Sequence, residues 1–162
     1  IGNAYKIDNM HFMLQKEVVD RMCAAPGDED YGRLTVALAA RAEVAKLFVV
    51  GPGAFNPAPK VHSAIVRLVP RPPPFEIADL QLFDRLVTAA FGQRRKTLAN
   101  GLKGLLSTAQ IAEAGIDPGI RAERLSAAEF ASLTAVAAGV ANKNTATPAP
   151  FPRAGERGRQ AG

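Results

Sequence analysis

The segment at residues 50–71, VGPGAFNPAPKVHSAIVRLVPR, constrains the fold more than any other part of the chain. Pro52, Pro57 and Pro59 fall within eight residues. Each locks its own φ and pushes the residue before it to extended backbone, so no helix can pass through. The run at 61–69 that follows is rich in Val, Ile and Ala and reads as a strand. Phe55 is therefore expected on a stiff loop with little apolar sequence beside it. A ring held that way can stack on a planar ligand, because every base has a π-face. The residue type by itself favours the plainer reading, a phenylalanine that plugs the end of the core.

Around this segment the pattern divides the chain. Residues 11–14 read as a short strand, 16–24 as a helix stopped by Pro26-Gly27, and 33–41 as a second helix. Residues 45–50 and 61–69 supply two more strands, giving about three in all. Pro72, Pro73 and Pro74 then form a stiff hinge. Beyond it the sequence predicts helices only. Asp79 caps a helix over 80–90, 94–106 forms another, and Ser107 opens a short one closed by Gly115. Ser126 with Glu129 makes a capping box for the last, with Leu125 and Phe130 as its hydrophobic staple. From residue 142 onward Thr, Pro, Ala, Gly and Arg dominate, a composition expected to stay disordered. The resulting division is 1–71, a hinge at 72–77, a helical domain at 78–141, and a tail at 142–162.

The proline-rich segment resembles the motif that closes the catalytic domain of the ribosomal RNA adenine N6,N6-dimethyltransferases, a pattern close to AFxPxPKVxSAVVRLxP. These are the small-subunit enzymes whose loss gives kasugamycin resistance. Four further blocks resemble the same family in the same order: MHFMLQKEVVDR at 10–21, YGRL at 31–34, FGQRRKTL at 91–98 and GIDPGIRAERLSAAEF at 115–130. The resemblance implies an α/β fold, the C-terminal part of a Rossmann-like methyltransferase sheet, followed by a small all-α domain. It also implies S-adenosyl-L-methionine as cofactor, with methyl transfer by direct displacement to two adjacent adenines of small-subunit ribosomal RNA. No metal and no covalent enzyme intermediate enter. The implied partner is that RNA within the small-subunit precursor particle, met by a cytoplasmic monomer.

Methylating adenine N6 is difficult because its lone pair is delocalised into the ring. In the family, a GNLPY-type motif supplies an Asn side chain that accepts a hydrogen bond from the amine, and aromatic rings sandwich the flipped base, offsetting the cost of unstacking it. The resemblance gives Phe55 the second of these roles. Ile1-Gly2-Asn3-Ala4-Tyr5 is similar to the first motif but shortened, with Ala4 alone between Asn3 and Tyr5. Only residues 6–9 then precede the strand, fewer than the dozen or so of a parallel crossover. On the resemblance Asn3, Tyr5 and Phe55 are the catalytic candidates, and Asn3 is the one position matched near the cofactor. The sequence contains no GxGxG, so it is expected not to bind S-adenosyl-L-methionine tightly by itself and to be inactive alone. A non-catalytic RNA-binding remnant acting in ribosome assembly is the alternative from another functional class.

Charge points the same way. Net charge is +5, which favours polyanionic partners. Residues 80–107 carry five of the basic side chains against Asp84 alone. If 94–106 is one helix, Leu98, Leu102 and Leu105 share a face while Lys96 and Lys103 lie opposite, open to phosphates. Arg94, Arg95, Lys96 and Lys103 are thus the RNA-binding candidates, a solvated charged face being the bland counterpart. Basic residues at a helix start also oppose its dipole. Cys23 stands alone and reads as a buried thiol in a reducing compartment. His11 and His62 have no metal-ligand spacing, and no apolar run approaches the ~20 residues of a membrane span.

Overall fold

The computed structural model describes residues 7–93 and 95–139. Asn3, Tyr5, Arg94 and the segment expected to be a disordered tail lie outside the described residues.

Strand β1 (Met10–Gln15) runs straight into helix α1 (Lys16–Cys23), and α2 (Arg33–Ala39) leads into strand β2 (Ala42–Val50). A short 3-10 turn (Pro52–Ala54) precedes strand β3 (Ser63–Pro70). The three strands form one sheet in the order β1-β3-β2, and both outer strands run antiparallel to β3. β1 and β2 are therefore parallel to each other, joined by a crossover through α1 and α2 with β3 slotted between them. Alternation along β3 decides what faces what. Ala64, Val66 and Leu68 are buried against Val19 and Met22 of α1. Burying Val19, Met22, Val66 and Leu68 stabilises by about 1.5–3 kcal/mol each, and Ala64 by less. The opposite face is open: Met13 is 52% and Phe48 57% exposed.

The helical part begins with α3 (Leu80–Phe91), where the Asp79 carboxylate accepts a hydrogen bond from the Leu82 N–H at 2.9 Å. α5 (Thr108–Glu113) opens on Ser107 with a capping box through Gln110, and Gly115 follows at φ +79°. α6 (Ala127–Ala137) opens on Ser126 with the expected box through Glu129, and both staple residues, Leu125 and Phe130, are buried.

One expectation fails. Residues 95–106 do not form one helix; only α4 (Leu98–Gly101) is helical among them. The Leu98 N–H donates to the Ile120 carbonyl at 2.7 Å and the Ala99 N–H to Pro118 at 3.0 Å. Donors that would have bonded back to residues 94 and 95 are taken by a neighbouring loop, so the helix cannot extend toward the basic stretch. On the other side it stops at Gly101, and the turn that follows passes through Gly104 at φ +88°. Leu98 and Leu102 keep their expected burial; Leu106 is also buried, while Leu105 packs against the core only partly buried. Arg95, Lys96 and Lys103 consequently do not share a helix face; they are exposed in the turns that flank α4.

Cys23 is also exposed rather than buried, at the end of α1. Desolvation of its thiol still raises its pKa above the ordinary thiol value, which is the opposite of activation.

The main core gathers Phe83, Leu86, Leu98, Leu102, Leu125 and Phe130 from the helices, but also Tyr31, Val36 and Ala40 from the segment before β2. The loop after α1 is fastened there. Gly27, at φ +92°, donates its N–H to the Glu123 carbonyl at 2.9 Å. The Tyr31 hydroxyl donates to the Leu125 carbonyl at 2.6 Å, and burial drives its pKa far above the usual phenol range. Its ring meets Phe91 edge-on at 6.2 Å, and Phe91 lies 5.8 Å from Phe130. Arg41 adds an ion pair to Asp84 of α3 at 2.6 Å.

Candidate functional site

Two of the segments singled out by sequence converge at one end of the sheet. An open cleft of about 390 Å³ is lined by Gln15, Lys16, Glu17 and Asp20 on one side and by Lys60, Val61 and His62 on the other. The first group starts α1; the second ends the loop that carries Phe55. The Lys16 N–H donates to the His62 carbonyl at 2.9 Å and ties the two together. β1 flows into α1 without a linker, so Gln15 and Glu17 are fixed at the mouth of the sheet by the strand itself.

Phe55 follows the 3-10 turn, its N–H donating to the Pro52 carbonyl at 3.2 Å. The Asn56–Pro57 peptide beyond it is cis. Phe55 is half-buried and belongs to neither hydrophobic core, so the reading of it as a core plug does not hold. Its backbone N–H is tied to Pro52, and the residue is not fully buried.

The cleft's charges are largely internal. The Asp20 carboxylate takes Lys16 at 2.6 Å and Lys46 of β2 at 2.7 Å. These hydrogen bonds, first from Lys16 and then from Lys46, hold its pKa below the usual carboxylate value. A carboxylate whose pKa is lower folded than unfolded stabilises the fold above the unfolded value, near pH 4, and that contribution fades as pH falls through the folded value. Asp20→Asn is therefore expected to lower the melting temperature by a few degrees near neutrality. The difference should vanish at the lowest pH the fold tolerates. Melting curves across that range check it, and a difference that persists in acid would deny the ion pairs their role.

Among the described residues, Arg95, Lys96 and Lys103 are exposed and in no ion pair. Their spacing is set by α4, which as a one-turn helix spans only ~6 Å. The structure keeps these cations near one short element while removing the helical stripe expected to present them. The cleft residues Lys60 and Asp30 carry no signal in the sequence; only their proximity in the fold singles them out.

The described residues do not fit S-adenosyl-L-methionine. Such a cofactor needs glycines between a strand and the helix after it, where backbone N–H groups can approach it. The β1–α1 junction holds none; Gly51 precedes a 3-10 turn and Gly53 lies within it, so neither stands between a strand and an α-helix. No group of three or more His, Cys, Asp or Glu among the described residues could hold a metal ion. None of the described helices is long and apolar enough to cross a membrane.

The ribosomal RNA adenine dimethylase family matches residues 3–138. Curated relatives named ribosomal RNA small subunit methyltransferase A include that of Methylococcus capsulatus, 56% identical over 128 residues, or 79% of this chain and 50% of the relative. That of Xylella fastidiosa is 57% identical over 78% of this chain and 48% of its own length. The chain thus spans about half the length of the curated relatives it matches. Among solved structures, a dimethyladenosine transferase from Plasmodium falciparum aligns with a TM-score of 0.66 at 24% identity, covering 81% of this chain and 57% of that one. The 23S rRNA methyltransferase ErmE aligns at 0.59 and 25%, covering 84% and 57%. These likenesses bear out the α/β fold of a Rossmann-like methyltransferase followed by helices, and the matched family is the one the motifs resemble. The chain belongs to the ribosomal RNA adenine dimethylase family.

Proposed function

We propose that this chain is the RNA-facing part of an S-adenosyl-L-methionine-dependent dimethyltransferase that acts on adjacent adenines of small-subunit ribosomal RNA. The observation that carries the reading is the convergence of two family motifs on one cleft beside the loop of Phe55. Phe55 stacks on the flipped adenine and offsets the cost of unstacking it. Arg95, Lys96 and Lys103 neutralise phosphates, as does Arg94, which sequence alone assigns. Asn3 and Tyr5 remain assigned by motif as the groups that orient the adenine amine. The cofactor supplies the methyl group when bound; because the described residues do not fit it, no step is placed on them through it. The helical part at 78–141, beyond the proline hinge, is on this reading the RNA-docking unit. A second reading, RNA binding without catalysis, rests on the exposed cations Arg95, Lys96 and Lys103 alone.

Binding to a small-subunit RNA hairpin that carries two adjacent adenines tests both. Affinity should fall linearly in log salt as counterions are released. Replacing Lys96 and Lys103 together with Ala should lessen the slope by roughly one unit per lost contact, whatever the RNA sequence. Phe55→Ala should instead lose ~1–3 kcal/mol of stacking with little change in slope. Unchanged affinity and slope in the double lysine variant would reduce these cations to solvated surface. Methyl transfer to the hairpin separates the enzyme from the binding protein.

A further inference from the structure

The cleft at the end of the sheet holds two charges that its other charges do not answer. Lys16, Glu17, Asp20, Asp30 and Lys60 all line it. Lys16 and Lys46 both pair with Asp20, and Glu17 is taken by Arg21 at 2.7 Å. Lys60 and Asp30 are left in no ion pair with any described residue, and so not with each other. Asp30 belongs to the α1 wall. The Lys16 ammonium is raised above its ordinary pKa first by its hydrogen bond to Asp20 and, as a smaller cause, by the charge of Asp30. Lys60 stands on the other wall, at the end of the loop that carries Phe55.

Neither wall is free to close the gap. Asp30 precedes Tyr31, whose hydroxyl donates to the Leu125 carbonyl and whose N–H donates to the Asp28 carbonyl at 3.1 Å. The Gly27 N–H fastens the start of the same loop to the Glu123 carbonyl. Across the cleft, the His62 carbonyl beyond Lys60 is held by the Lys16 N–H. Both backbones are set before a ligand arrives, so little ordering entropy opposes binding.

The balance of charge limits what such a cleft takes. Its three carboxylates repel a bare anion, and its two lysines repel a bare cation. A ligand with a negative group at one end and N–H donors at the other suits both walls. At about 390 Å³ the cleft is at the small end of ligand sites. One nucleotide has that polarity, with phosphate at one end and, on adenine, cytosine or guanine, an amine from which a carboxylate can accept.

We propose that this cleft reads the adenine next to the flipped one, Lys60 holding the phosphate beside it and Asp30 accepting a hydrogen bond from its N6 amine. The inference rests on the function proposed above and adds a specificity determinant to the same site. It has a consequence for the reaction's own product. An adenine with two methyl groups on N6 has no N–H left, so Asp30 cannot take it. RNA whose neighbouring adenine is unmodified is therefore the preferred ligand, and completing one adenine weakens the hold on RNA that presents the other.

The test uses this chain and three RNA hairpins that differ at one of two adjacent adenines. The first keeps adenine, the second carries purine, which lacks the amine, and the third carries N6,N6-dimethyladenine. The adenine hairpin should bind on the order of 10-fold more tightly than either of the others, as one hydrogen bond to a charged group implies. Asp30→Ala should bind the adenine and purine hairpins alike, whatever its absolute affinity. Lys60→Ala should weaken both and lessen the salt slope by roughly one unit, leaving the preference between them in place. Both substituted residues are exposed, so the fold should survive. Equal binding of adenine and purine by the parent, or a preference that survives in Asp30→Ala, would overturn the inference while the proposed function stands. Unchanged affinity and slope in Lys60→Ala would overturn it too. If the parent binds no hairpin at all, the proposed function fails and this inference with it.

Discussion

Tyr31→Ala should destabilise this chain by about 3–5 kcal/mol, the cost of removing a large aromatic side chain from a packed core. Tyr31→Phe isolates one part of that loss. The hydroxyl is buried and donates to the Leu125 carbonyl at 2.6 Å, so the phenylalanine variant keeps the ring but strands an acceptor, at about 1–3 kcal/mol. The ring itself meets Phe91 edge-on, a geometry worth ~0.5–1.5 kcal/mol beyond area. Urea unfolding of the three proteins gives both differences. If Tyr31→Phe matches the parent while Tyr31→Ala falls, packing alone fastens the loop. If neither falls, the segment before β2 does not depend on the helices at all.

Tyr31 also shows where sequence reasoning stopped short. YGRL was visible as a family block, yet nothing in it says that a tyrosine will reach a carbonyl 94 residues away. Local signals were legible because their causes are local. Asp79, Ser107 and Ser126 cap helices through side chains that reach only three residues ahead. Prolines 52, 57 and 59 stop an α-helix from running through 52–59 whatever lies around them. The helix expected over 94–106 failed for the opposite reason. Its sequence is compatible with helix, but the carbonyls of Pro118 and Ile120 compete for the donors at 98 and 99, and tertiary context overrides propensity.

The site was legible to a similar degree. Sequence put Phe55 on a stiff loop and out of helical structure, and the fold places it there. It could not show that the start of α1 and residues 60–62 face each other across one cleft, because that depends on the crossover that puts β3 between β1 and β2. The buried Nε of Arg67, which has no hydrogen-bond partner among the described residues, was equally invisible. In sequence it is the polar member of an alternating strand and should face water; only the sheet register reveals it among Met13, Ile65 and Ala45.

Phe130→Ala should cost a similar 3–5 kcal/mol, and its pattern of damage is the more informative measurement. Phe130 is fully buried, opens α6 as the staple partner of Leu125, and lies 5.8 Å from Phe91. Val36 and Ala40 belong to the same cluster although they precede β2 in the chain. By contrast Val66 and Val19 sit in a separate cluster between the sheet and α1. Native-state hydrogen exchange should therefore show α2 and α3 losing protection together when Phe130 is cut, because both lean on the void it leaves. Amides of β1 should change least, since that strand is held by one neighbour and already exposes Phe12 and Met13. Stronger protection in β1 than in α3 of the parent chain would show that the open sheet is the self-sufficient part. Loss confined to α3–α6, with α2 untouched, would mean that Val36 and Ala40 rest on the helices without depending on them. The polyproline segment at 72–74 would then mark a boundary in stability as well as in sequence.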